Sequence, residues 1–331
     1  MATSVLAFLL LLFIEPILAK QQVDEEFLRN NRTIERFVNI RTHSLHAPYI
    51  DQDLQNRWWD FGADAYVNTN KHIRLTRAVS SQMGWLWSRL PLTAIHYEID
   101  VEFKVSGDSS HLYGDGFAMW LTRKRAEPGP LFGAPDYFEG LGVIVDTYAN
   151  SRHSYGFPRI MAVLGDGKTH FDKDNDFDGQ TLDACSANIR RASVATKLKV
   201  TYVKDELLEV KVQYKGWDEW TPCIKVRDVS LPTSPFLGFT ALTGEVYDAH
   251  DIVSVSSNSA YLSLPGRSRT ELQGAYSPKG SSWFWTLLKW TTFLAIAFVA
   301  FTAYTTWAKR NGRVHGGFGN IVNRYDPNKR F

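Results

Sequence analysis

The chain has 331 residues, 44% of them hydrophobic, with 37 Lys and Arg against 35 Asp and Glu. A formal net charge of +2 gives no strong field of either sign, so nothing points to nucleic acid or to an acidic substrate. The length suits one or two domains, and 11 Trp, 14 Tyr and 20 Phe are available to pack a β-rich core or to stack on sugars.

In chain order, residues 5–14, VLAFLLLLFI, are too short to span a bilayer. PILA follows, so residues 1–19 read as a secretory signal peptide cleaved after Ala19. Residues 20–39 form an N-terminal segment whose NRT places a glycosylation sequon at Asn31. Over 40–262, helical periodicity is nearly absent. Strand-like runs recur at 97–105, 116–123, 140–148, 159–166, 197–203, 207–214, 223–229 and 236–242, some alternating and some continuously apolar, with Gly, Pro, Asp and Asn between them. This predicts an all-β antiparallel sandwich. No heptad run predicts a coiled-coil stalk.

Residues 263–282 are polar with scattered Gly and Pro and read as a linker. Trp290–Ala308 carries no charge, and at about 1.5 Å per residue its length approaches that of a hydrocarbon core. A transmembrane helix is therefore expected over 283–308, with Trp283, Trp285, Trp290 and Trp307 at the interfaces. Lys309, Arg310, Arg313, Arg324, Lys329 and Arg330 against Asp326 suit a cytosolic tail at 309–331. The expected topology is single-pass type I, with residues 20–282 in the lumen. Cys185 and Cys223 are the only cysteines and both lie in that part. An oxidising compartment favours one disulfide between them, contributing about 4 kcal/mol in a chain-entropy account.

Three motifs offer chemistry. Glu98, Asp100 and Glu102 alternate along one strand and share a face, the arrangement some retaining glycosidases use. Lys104 continues that face, which also suits an ordinary polar surface. DKDNDFDG places Asp174, Asp176, Asp178 and Gly179 as in an EF-hand loop, but the twelfth position is Cys185 and the flanks are not helical. The acidic cluster reads either as a solvated loop or as part of a hard-cation site. VIVDTYAN ends an apolar strand on Asp146 and reaches Asn150, an oxygen-rich arc of the kind calcium accepts. No G-x-S-x-G, H-E-x-x-H, P-loop or C-x-x-C occurs.

Taken in order, YGDGFAMW (113–120), GLGVIVDTYAN (140–150), the acidic loop before Cys185 and GFTALTGEVYDAHDI (238–252) resemble the L-type, legume-lectin-like cargo lectins of the early secretory pathway. The lack of a coiled coil favours the vesicular integral membrane lectin branch. The resemblance implies a legume-lectin-like jelly roll. It also implies a calcium ion held by Asp146, the Tyr148 carbonyl, Asn150 and one Asp of the acidic loop. Spacing from Cys185 selects Asp176 for that last ligand and matching the Asp-Gly pair selects Asp178; Asp176 is preferred, because a disulfide fixes spacing more firmly than a loop tip does. Asn150 would face a sugar hydroxyl, Asp115 would accept hydrogen bonds from mannose, and backbone groups of Gly244, Glu245 and Val246 would close the pocket. Two residues expected at the sugar site depart from the mannose-binding pattern: Lys173 stands where a His is expected, and Trp85, which would stack on a sugar or fill the pocket, where a Ser is expected.

The resulting expectation is a calcium-dependent, non-enzymatic lectin for high-mannose N-glycans on cargo glycoproteins, cycling between endoplasmic reticulum and Golgi. Phe331, exposed after a basic stretch, suits capture by a coat protein. One alternative is a cargo adaptor that has lost sugar binding. The other is a glycoside hydrolase using Glu98, Asp100 and Glu102.

Overall fold

A computed structural model of the protein describes residues 33–263 and 283–311. The signal peptide, Asn31, nearly all of the linker, and the tail with Phe331 lie outside the described residues. In chain order the strands are β1 (Ile34–Asn39), β2 (Trp59–Ala63), β3 (Tyr66–Asn68), β4 (His72–Thr76), β5 (Met83–Ser88), β6 (Tyr97–Ser106), β7 (Gly116–Thr122), β8 (Glu139–Asp146), β9 (Arg159–Asp166), β10 (Asp183–Ser186), β11 (Thr196–Val203), β12 (Leu207–Gln213), β13 (Trp220–Arg227), β14 (Phe236–Leu242) and β15 (Ala249–Leu262).

They form two antiparallel sheets. The back sheet runs β13-β12-β11-β6-β15-β4-β3, with β1 also paired to β15; the front sheet runs β10-β9-β8-β7-β14-β5-β2. β1 thus joins the sandwich from the segment read as lying ahead of it. The expected disulfide forms between Cys185 and Cys223, with Cα atoms 5.1 Å apart. Cys185 is on β10 and Cys223 on β13, so the bond closes the sandwich where an edge of each sheet meets the other.

The two kinds of apolar pattern separate by sheet. β6 alternates: Tyr97, Ile99, Val101, Phe103 and Val105 are buried between the sheets, while Glu98, Asp100 and Glu102 are half-buried outside. β7 is buried along its whole length and β8 along all but its first residue. A front-sheet strand meets a core on both sides. Phe117 and Met119 point into the main core; Ala118 and Trp120 point into a second apolar cluster. Loop residues Phe132, Phe138, Phe171 and Phe177 complete that cluster. A strand covered on both faces reads as a continuous apolar run. Loops packed in this way are anchored by buried rings, each contributing about 2 kcal/mol, and can hold a site still.

The helix α1 (Trp283–Asn311) has 29 residues and belongs to a second unit. Among the described residues no helix is long and apolar enough to cross a membrane.

Candidate functional site

Three loops meet beside the start of β7 and the end of β8. Gly116 pairs with Asp146 across these strands, so the loop before β7 and the loop after β8 begin side by side. Gly116 has φ of +150°, and a Cβ there would stand 2.2 Å from the Val145 carbonyl oxygen; only glycine fits. The Gly114–Asp115 peptide is cis. The Asp115 carbonyl accepts hydrogen bonds from the Thr147 amide and hydroxyl, both at 2.9 Å. Its amide donates to the Leu242 carbonyl at 3.3 Å. Asp115 is therefore seated between the 146–150 loop and the loop after β14. Gly244 comes close from that second loop: a Cβ on it would lie 3.2 Å from Asp115 Oδ2.

Asp146 is 1% exposed. Its Oδ1 accepts from the Tyr148 amide at 3.0 Å, while its Oδ2 is buried without a hydrogen-bond partner. Burial drives its carboxyl well above the ordinary carboxylate range; the Tyr148 amide opposes this, Asp176 and Asp115 push it further up, and Arg159 pulls it down. Burial likewise raises Asp115, which the Lys173 charge partly offsets.

The two candidate aspartates of the acidic loop differ in burial. Asp172 caps a 3-10 turn at Lys173–Asn175 by accepting from the Asn175 amide. Asp176 then takes a left-handed conformation and is buried, and Phe177 beside it is fully buried against Phe132 and Phe171. That ring pins the loop, turning Asp176 inward and leaving Asp178 exposed. Asp176 accepts from the amides of Asn150 and Ser151 and lies 2.9 Å from His153 Nε2. The EF-hand comparison has no structural counterpart, because a 3-10 turn stands where a calcium loop and its helices would be.

His153 carries no signal in the motifs, although it lies three residues after Asn150. Its ring stacks on Tyr155 at 4.5 Å, and the Arg159 guanidinium covers Tyr155 at 3.4 Å. This stack holds His153 against Asp176. The Asn150 amide nitrogen donates to the Lys173 carbonyl at 2.9 Å. That bond uses one of the two N–H groups of the amide and does not involve its carbonyl oxygen.

A pocket of about 280 Å³ opens here, lined by Asp115, Asp146, Tyr148, Asn150 and Lys173, with Glu245 and Val246 on the facing wall. Lys173 therefore reaches the pocket, but among the described residues its ammonium has only Asp174 as ion partner, at 3.9 Å, and Asp174 is largely exposed. Trp85 does not line it. Its ring lies over Gly62, where a Cβ would touch it at 2.2 Å, and packs against the second apolar cluster. Among the described residues no three His, Cys, Asp or Glu side chains gather as a metal cage. An ion here would draw on two carboxylates, an amide oxygen and a backbone carbonyl, a donor set that suits calcium rather than a softer metal.

Glu98, Asp100 and Glu102 are elsewhere, on the back sheet. Lys199 Nζ stands 3.4 Å from Glu98 and 3.5 Å from Asp100, and Lys197 Nζ 3.6 Å from Glu102. Each carboxylate is matched by a lysine on the adjoining strand β11.

Residues 38–262 match the profile described as the legume-like lectin family. The chain belongs to that family. A legume-like lectin relative from Schizosaccharomyces pombe, an L-type lectin-like domain-containing protein, is 36% identical over 215 residues, covering 65% of this chain and 69% of the relative. The VIP36-like protein of Mus musculus is 37% identical over 219 residues, covering 65% of this chain; the match spans 62% of that relative's length. Among solved structures, the VIP36 exoplasmic/lumenal domain in its Ca2+/Man3GlcNAc-bound form superposes with a TM-score of 0.62 at 35% identity, covering 67% of this chain and 91% of that domain. Membership of a lectin family, together with the lysine pairing of Glu98, Asp100 and Glu102, sets the hydrolase reading aside.

Proposed function

We propose that this legume-like lectin binds calcium and, through it, mannose-rich N-glycans on glycoprotein cargo. The observation that carries the reading is Asp146: a buried carboxylate with an unpartnered oxygen, within electrostatic reach of Asp176 and Asp115. Buried like charges are tolerated when a cation joins them. Asp146, Asp176, the Asn150 amide oxygen and the Tyr148 carbonyl would hold calcium, which when bound supplies that neutralising charge. Asp115 then accepts hydrogen bonds from sugar hydroxyls, and the backbone of Gly244, Glu245 and Val246 forms the opposite wall. The solved VIP36 domain with Ca2+ and Man3GlcNAc supports this assignment.

The reading extends to a membrane protein of the secretory pathway, cycling between endoplasmic reticulum and Golgi as a single-pass type I chain with its signal peptide removed. Two features support it. Leu294, Ile296, Phe298, Val299, Phe301 and Trp307 are all exposed on α1, and at about 3.6 residues per turn they fall on every side of it, which suits lipid. The disulfide suits an oxidising lumen. Phe331 would serve as the coat-binding end of the tail.

The test is calorimetry on the purified chain. Calcium binds, a mannose oligosaccharide binds only with calcium, and Asp115→Ala lowers glycan affinity at least about 100-fold, since polar sugar groups lose a buried acceptor, with calcium binding retained. Calcium binding without any glycan binding would favour the adaptor alternative. Absence of both would overturn the metal reading.

A further inference from the structure

We propose that Arg190, Asp248 and Tyr113 form a clamp that positions both walls of the sugar pocket without touching the sugar. The inference rests on the lectin reading above. The walls come from segments far apart in sequence: Asp115 from the loop before β7, and Gly244–Val246 from the loop after β14. Neither wall is itself a strand. Something behind them has to fix their separation.

Arg190 does this from a third segment. Its Nε donates to Asp248 Oδ2 at 2.6 Å and its Nη2 to Asp248 Oδ1 at 2.8 Å. Asp248 is fully buried and the Arg190 side chain is 6% exposed. The guanidinium face lies 4.1 Å from the centre of the Tyr113 ring. Tyr113 stands two residues before Asp115, and Asp248 two residues after Val246. One planar group thus holds the base of each wall, by two parallel hydrogen bonds on one side and by stacking on the other. Its own backbone is fixed by a bridge to Val105 at the end of β6. Arg191 secures the same loop, donating to the carbonyls of Gly107 and Ser109. The clamp has no slack at Gly107, where a Cβ would stand 2.1 Å from Asp248 Oδ1.

A buried ion pair adds little net stability over a well-packed apolar pair. What the fork adds is direction. The calcium ligands, on the 146–150 loop and at Asp176, are held by the separate contacts with His153 and the Asn150 and Ser151 amides. Sugar and calcium affinity should therefore respond differently to loss of the clamp.

The test uses the full chain in detergent, calcium, and a mannose trisaccharide. In the double variant Arg190→Leu/Asp248→Leu both charges go together. The melting temperature should stay within a few degrees and calcium affinity within about two-fold, while trisaccharide affinity falls about ten-fold. Arg190→Lys, which keeps the charge and loses the fork, should fall in the same direction, and Tyr113→Leu about three-fold. Amide hydrogen exchange reads the clamp without any sugar: protection at 113–116 and 244–247 drops in the double variant, while that of the Asn150 and Ser151 amides, which donate to Asp176, is unchanged. Wild-type sugar affinity and exchange in the double variant would overturn the proposal. So would equal losses of calcium and sugar affinity, or unfolding of both the double variant and Tyr113→Leu, since the clamp would then be a staple for the whole sandwich. A wild-type chain that binds no trisaccharide counts against the lectin reading alone; the exchange pattern still decides the clamp.

Discussion

Two sets of three carboxylates sit on this sandwich and behave oppositely. Glu98, Asp100 and Glu102 project in a regular row from β6, half in solvent, with Lys197 and Lys199 beside them. Asp115, Asp146 and Asp176 come from three separate loops, and two of them are 1% exposed. Asp146 keeps an oxygen with no partner. The back row is the more conspicuous in the sequence, yet each of its carboxylates has a lysine ammonium within 3.6 Å, including Asp100, whose Oδ1 is buried without a hydrogen bond but lies 3.5 Å from Lys199 Nζ. Burial without pairing marks a site; regular spacing does not.

The comparison breaks most sharply at Asp146. With calcium chelated, Asp146→Asn should raise the melting temperature. Burial holds the folded pKa of Asp146 well above its ordinary 3.8. The stability its protonated form contributes is therefore complete below that ordinary value and is lost as pH rises through the folded one. At neutral pH the metal-free wild type bears this cost and the asparagine variant does not. We expect a gain of about 1–2 kcal/mol, or about 3–6 °C for a domain of this size. Calcium should then raise the melting temperature of the wild type and leave the variant unmoved. A variant less stable than wild type in chelator, with calcium still stabilising it, would show that Asp146 is satisfied without an ion.

Acid should weaken calcium by the same route, because protons and the ion compete for Asp146. Its raised folded pKa moves that competition towards neutral pH. Affinity should fall as pH drops from 7 towards 5, approaching about ten-fold per unit where one proton is displaced per ion. Calorimetry at three pH values reads this; a flat profile would mean that the front carboxylates are as well paired as the back row.

Much of this was legible beforehand. The eight apolar runs fall on β6 to β9 and β11 to β14, and the Cys pair forms the disulfide expected of it. β15 escaped because its 14 residues include Ser254, Ser256, Ser257, Asn258 and Ser259: its pairing on both sides, with β6 and β4, rests on backbone hydrogen bonds that any side chain allows. Spacing from Cys185 favours Asp176 over Asp178, but which of the two turns inward depends on Phe177, whose burial in the second cluster is a tertiary fact. Trp85 is expected at the pocket from the motif, whereas its ring lies over Gly62, its register partner on the adjoining strand β2. His153 and the Arg190–Asp248 pair are contacts between loops, and no local pattern announces them.

The smallest effects should lie on the back row, and they sharpen the contrast from the other side. Lys199 stands between Glu98 and Asp100. Burial raises the Asp100 carboxyl above its ordinary value, and Lys199 is the largest influence holding it down. Lys199→Ala should therefore cost about 1 kcal/mol at neutral pH. That cost should shrink as pH falls and Asp100 takes up a proton, since a neutral carboxyl has no need of the ammonium. Glu98→Gln is milder still. Its amide oxygen can accept from the Thr201 hydroxyl, which donates to Glu98 at 3.2 Å, and Lys199 keeps Asp100. Denaturation midpoints should move by less than about 0.5 kcal/mol, with calcium and glycan affinity unchanged. If instead Glu98→Gln abolished glycan binding, the back row would hold a function of its own, and its lysine pairing would be a resting state rather than a reason to exclude it.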